Sequence, residues 1–88
     1  MPHFLLTFGD AMRPPVAAVI IEAPSMLQAR MVAVVRRLAP GVPFGDGVRL
    51  TTRMMAKIPP ERIGRVLYGK AATHLIRRLR EIRSRAGE

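Results

Sequence analysis

Lys70, His74, Arg77, Arg78, Arg80, Glu81 and Arg85 fall on one side of a helix drawn at 100° per residue, and Glu81 alone among them is acidic. At 1.5 Å per residue this run covers on the order of 20–25 Å, long enough for cationic side chains to follow a phosphate backbone. Arg49 and Arg53 alternate with Leu50, Thr52 and Met54 in the preceding segment and extend the same chemistry onto a strand. The candidate nucleic-acid-binding set is therefore Lys70, Arg77, Arg78, Arg80 and Arg85, with Arg49 and Arg53. A second reading stands beside it. Cations near a helix C-terminus complement the macrodipole, and Glu81 can pair at i,i+4 with Arg77 and Arg85.

The same residue types supply little for catalysis. Two histidines, six carboxylates and two serines are spread along the chain without a convergent pattern. His3 and His74 have no second ligand at metal-binding spacing, and Glu81 lies seven residues beyond His74, about two helical turns away. Gly41, Gly45 and Gly47 do not form a phosphate-binding loop. Cysteine is absent, which excludes disulfides and thiolate chemistry and fits a reducing compartment. Neither enzyme nor cofactor nor metal site is expected.

Fifteen basic residues face six acidic ones, giving a formal net charge of +9, and thirteen of the fifteen are arginine. Arginine in place of lysine can follow from GC-rich codons. Codon bias does not explain the shortage of Asp and Glu. Such a charge draws anionic partners by long-range attraction, so nucleic acid or an acidic protein is the expected partner class. Stacking of bases is not supported, since the aromatics are Phe4, Phe8, Phe44 and Tyr68, and the first two read as core.

These side chains must be positioned by a small fold. Residues 1–88 suit one domain. The longest apolar run, Val16 to Ile21, is far short of the roughly 20 residues of a membrane span. His3–Phe8 is cut off by Gly9 and Asp10 before it can act as an export signal, so the cytoplasm is the expected compartment.

Residues 2–8 alternate with period two, with Phe4, Leu6 and Phe8 on one face and Leu5 an apolar exception on the other. Arg13-Pro14-Pro15 marks a loop, and residues 16–22 are apolar on both faces, as in a central strand. Ser25 and Gln28 have capping-box spacing. Behind them Leu27, Met31, Val34, Val35 and Leu38 form one stripe, predicting a helix over 25–39 with that stripe in the core and Pro40-Gly41 as its end.

Residues 40–47 read as turn. Residues 47–54 read as a third strand whose Met54 and Met55 point to opposite faces. A last helix is predicted over 60–85. Within it Ile63, Val66 and Leu67 are out of phase with Leu75, Ile76 and Leu79, and Gly69 sits at the change. That phase shift fits either a break at Gly69 or a continuous helix docking on a second subunit.

The resulting fold is α+β, two-layered, in the order ββαβα: a three-stranded, mainly antiparallel sheet with two helices on one face. Its open edges make a homodimer a further expectation. The functional expectation is a non-enzymatic module that associates non-specifically with a polyanion such as nucleic acid through its basic C-terminal helix. The alternative is a homo-oligomeric interaction or assembly subunit with no nucleic-acid role.

Overall fold

The computed structural model describes residues 1–10, 16–38 and 41–86, with side chains described as far as Ile82. The predicted loop at Arg13-Pro14-Pro15, the helix stop at Pro40 and the side chain of Arg85 lie outside the described residues. In chain order the elements are β1 (His3–Phe8), β2 (Ala17–Glu22), α1 (Met26–Val35), β3 (Phe44–Arg49), α2 (Thr52–Ala56), a 3-10 turn (Pro60–Arg62), β4 (Leu67–Tyr68) and α3 (Gly69–Ala86).

The α+β class and the antiparallel sheet are as expected, but among the described residues the sheet has four strands, in the order β3-β1-β2-β4. β1 and β2 pair from His3↔Glu22 to Phe8↔Ala17, and His3 Nε2 lies 3.1 Å from Glu22 Oε2 across that register. β3 joins the other edge of β1 with Phe4 opposite Arg49 and Leu5 opposite Val48.

Helices cover both faces of this sheet, which corrects the expected two-layer arrangement. Alternate side chains of a strand point to opposite sides, and each side has its own core. Phe4, Leu6, Phe8, Val19 and Ile21 pack with Ala29 and Ala33 of α1. Leu5, Ala18 and Ile20 pack with Met54 and Ile58 from the α2 region and with Ala72, Leu75, Ile76 and Leu79 of α3. The reason is the central hairpin itself. A strand apolar on both faces needs both faces removed from water, and Leu5 is the first residue to require the second layer.

α1 inverts the expected stripe. Ser25 caps it by accepting from the Gln28 amide at 3.2 Å, the N-cap half of the expected capping box, without a return bond from the Gln28 side chain among the described residues. The buried residues, however, are Ala29 and Ala33, while Leu27, Met31, Val34 and Val35 are exposed and Leu38 is half-buried. Ala29 and Ala33 are also four apart, with Met26 and Val32 as flanking partners, so α1 carries two apolar stripes. The sheet already presents Phe4, Leu6, Phe8 and Phe44 on this side. Small residues on the helix let it approach that bulky surface closely. The helix ends with Arg37 in the left-handed region at φ 53°, where the Leu38 amide bonds the Ala33 carbonyl at 3.0 Å and the Arg37 amide bonds that of Val34 at 3.1 Å.

β3 starts earlier and stops earlier than the alternation from 47 to 54 predicts. Gly41 stays in a turn, but Gly45 and Gly47, also read as turn residues, are strand residues that permit close approach. A Cβ at Gly45 would sit 3.2 Å from the Thr7 carbonyl oxygen, beside the register shift between Thr7 and Phe8. One at Gly47 would meet Met26 Sδ at 2.6 Å. Thr51 then caps α2, accepting from the Met54 amide at 3.1 Å, with Met54 Sδ accepting the Thr51 amide at 3.4 Å. Met54 is buried and Met55 half-buried in the same core, so they do not straddle a strand. Leu50, Met54 and Ile58 recur every four residues, a helical spacing that the shorter alternation masked.

The predicted helix over 60–85 is likewise divided. After the 3-10 turn, Ile63 bridges Ile20 in parallel, the Gly64 amide donates to the Ile20 carbonyl at 2.7 Å, and Leu67–Tyr68 pairs with Ala18 and Ala17. Gly69, at φ +57°, turns the chain from this edge strand into α3. The change of phase marks that turn: Leu75, Ile76 and Leu79 are buried, and Ile63, Val66 and Leu67 are half-buried, all against cores of the same chain. It also covers the outer edge of β2.

Candidate polyanion interface

α3 owes its direction to the core beneath it. Ala72, Leu75, Ile76 and Leu79 are buried against the sheet, with Ile82 half-buried, so the opposite side must face solvent. Lys70, His74, Arg77 and Arg78 are all exposed there. Lys70, His74 and Arg77 line one shallow groove together with Thr73, Val16 and Arg62. The groove exists because the Gly69 amide is tied to the Val16 carbonyl at 3.1 Å and because the 3-10 turn brings Arg62 alongside. Thr73 donates its hydroxyl to the Gly69 carbonyl at 3.2 Å, bracing the first turn of α3. That first turn carries the positive end of the helix dipole and has no acidic residue.

Of the residues singled out by sequence, Lys70, Arg77 and Arg78 therefore share one solvent face. Arg80 is exposed on the other flank of α3. There it lines a separate cavity of about 460 Å³ with Asp10 and Asp46 on its rim and Leu5, Val48 and Leu50 among its walls. Arg53 is exposed on α2, on the same side of the sheet as α3. Arg49 is on the opposite side: it pairs with Phe4, whose side chain belongs to the α1 core, so it does not extend the α3 surface. Arg85 has no described side chain.

Arg62 was missed because a continuous helix from 60 gave it no reason to leave the helix it was assigned to. Pro59-Pro60 and Gly69 were the signals that the segment turns back. The basic residues are not confined to one side, since Arg30, Arg36 and Arg37 flank or end α1 across the sheet.

Among the described residues no ion pair engages Lys70, Arg62, Arg77 or Arg78; the described pair is His3–Glu22. The i,i+4 pairing of Arg77 with Glu81 is not formed, although Glu81 is exposed on the same face, where its carboxylate offsets part of the positive charge. Tyr68, the exposed aromatic, pairs with Ala17 and so belongs to the α1 side of the sheet, away from the groove. The chemistry on offer is charge and hydrogen-bond donation without stacking. Among the described residues no group of three His, Cys, Asp or Glu could hold a metal, and no helix is long and apolar enough to cross a membrane. Comparison with protein-family models, with curated proteins and with solved structures returned no match.

Proposed function

We propose that the chain is a non-enzymatic binding module that holds the phosphodiester backbone of nucleic acid against the outer face of α3. The observation that carries this reading is the set Arg62, Lys70 and Arg77, gathered in one groove at the Gly69 turn, with Arg78 exposed beside it on the outer face of α3 and none of the four in an ion pair among the described residues. Arginine and lysine donate to phosphate oxygens without reading sequence, and no aromatic shelf or base-reading element accompanies them. Binding is therefore expected to be independent of sequence and strongly dependent on salt.

Fluorescence anisotropy with labelled duplex DNA and single-stranded RNA across a salt series tests this. Four phosphate contacts give a slope of log affinity against log salt of about −3 to −4 on duplex DNA. Absence of binding at about 50 mM salt, where non-specific contacts are strongest, overturns the reading.

A further inference from the structure

α1 is apolar around most of its circumference. Of its residues Met26 to Val35, Gln28 and Arg30 are the polar ones. Toward the sheet it presents Ala29 and Ala33, while on the far side Leu27, Met31, Val34 and Val35 are 66, 56, 76 and 79% exposed. Their spacing of i, i+4, i+7 and i+8 makes a continuous stripe, and the larger side chains point away from the chain's own core. A helix apolar on opposite sides is normally covered on both.

The margins of the stripe say what covers it. Arg30 borders it beside Val34, its guanidinium held 4.2 Å from the centroid of the Phe44 ring. Arg36 borders the other margin, where it lines a shallow groove with Gln28, Met31, Val32 and Val35. Arg37 closes the C-terminal end, and no acidic residue occurs between Glu22 and Asp46. The stripe exposes on the order of 500 Å² of apolar surface, within the range of functional patches. That is below the roughly 800 Å² each partner gives to a standard interface, so the charged margins must contribute to any stable contact. A second copy would bring arginines against arginines and +9 against +9. An anionic membrane would match the charge, but the stripe has none of the aromatic anchors that seat interfacial helices.

We infer that this face of α1 docks an acidic amphipathic helix of a partner protein. Its apolar side packs on Leu27, Met31, Val34 and Val35, and its flanking carboxylates meet Arg30 and Arg36. Met31 adds an adaptable contact, and helix packing brings the two axes to about 8–10 Å.

The probes are two labelled peptides of about 18 residues, long enough to cover α1 as a helix. Both carry leucine at a and d positions; one has glutamate and the other lysine at the flanking e and g positions. The glutamate peptide should bind the full chain at least about tenfold more tightly than the lysine peptide, as opposite-charge margins require. Met31→Glu with Val35→Glu should abolish that binding. Both side chains are largely exposed, so circular dichroism should be unchanged. Arg30→Glu with Arg36→Glu should reverse the preference, and Lys70→Ala with Arg77→Ala should leave it intact, which separates this face from that of α3.

Equal binding of the two peptides overturns the inference, as does binding indifferent to the Met31 and Val35 substitutions. So does self-association, or binding to phosphatidylcholine–phosphatidylserine vesicles, that those substitutions remove while neither peptide binds.

Discussion

The Arg30 guanidinium lies 4.2 Å from the centroid of the Phe44 ring, and Phe44 in turn meets Phe8 edge-on at 6.1 Å and 86°. This stack ties the exposed margin of α1 to the first residue of the outer strand β3 and to the centre of one core. Arg30→Ala should destabilise the fold by about 0.5–1 kcal/mol, the range of an exposed cation–π contact. Urea denaturation measures it, and Arg30→Lys should recover part of the loss because the charge remains over the ring.

Burial rather than hydrophobicity should rank the substitutions in α1 and β1. Leu6 is fully buried at 0% exposure, and Leu6→Ala should cost about 2–5 kcal/mol. Val35, 79% exposed, should lose less than about 0.5 kcal/mol on Val35→Ala. Chemical melts of the two variants compare directly. Equal losses would place Val35 inside a core of the isolated chain.

Gly69 supplies φ +57° with open space where a Cβ would stand. Gly69→Ala should therefore cost about 1–2 kcal/mol from backbone conformation alone. Gly69→Asn should cost less, because asparagine enters the left-handed region more readily. Thermal denaturation of the pair separates conformation from packing, since both substitutions add a side chain and only one strongly resists the backbone angle.

For the α3 surface, Lys70→Ala with Arg77→Ala should lower affinity for all nucleic-acid sequences alike and reduce the salt slope by about 2. Arg49→Ala is the matched control. Its side chain belongs to the other side of the sheet, so the slope should not move. Anisotropy at several salt concentrations reads both.

The elements legible in the sequence were those with a single solution. β1, β2 and the Ser25 cap follow from alternation, from an unbroken apolar run and from an N-cap spacing. Elsewhere two periodicities overlapped. α1 has a large-residue stripe and a small-residue stripe, and the sheet takes the small one because its own side is filled by phenylalanines. Leu50, Met54 and Ile58 read as part of a strand at period two and as a helix at spacing four. Leu5 and the second face of β2 already implied a layer on each side, because otherwise Leu5, Ala18 and Ile20 would face water. The homodimer expectation rested on open edges and on the phase change at Gly69. The turn at Gly69 now accounts for the second, and β4 with the Ile63 bridge covers one of the edges. In the candidate surface, Lys70, Arg77 and Arg78 were legible from helical phase, whereas Arg62 depended on a turn and Arg49 on a strand register that composition does not encode.

The position of β1 between β2 and β3 also bears on how the chain assembles. Eight residues of sequence separate β1 from β2, so their pairing closes few residues, whereas β3 reaches β1 only after α1 has been traversed. Loop-closure entropy rises with the length enclosed, which favours the hairpin as the early nucleus and the docking of β3 as a later event. Substitutions at Leu6 and Val19 should accordingly slow refolding, while substitutions at Val48 should chiefly hasten unfolding. β3, arriving after the hairpin, would then exchange its amide protons before β1 and β2 do.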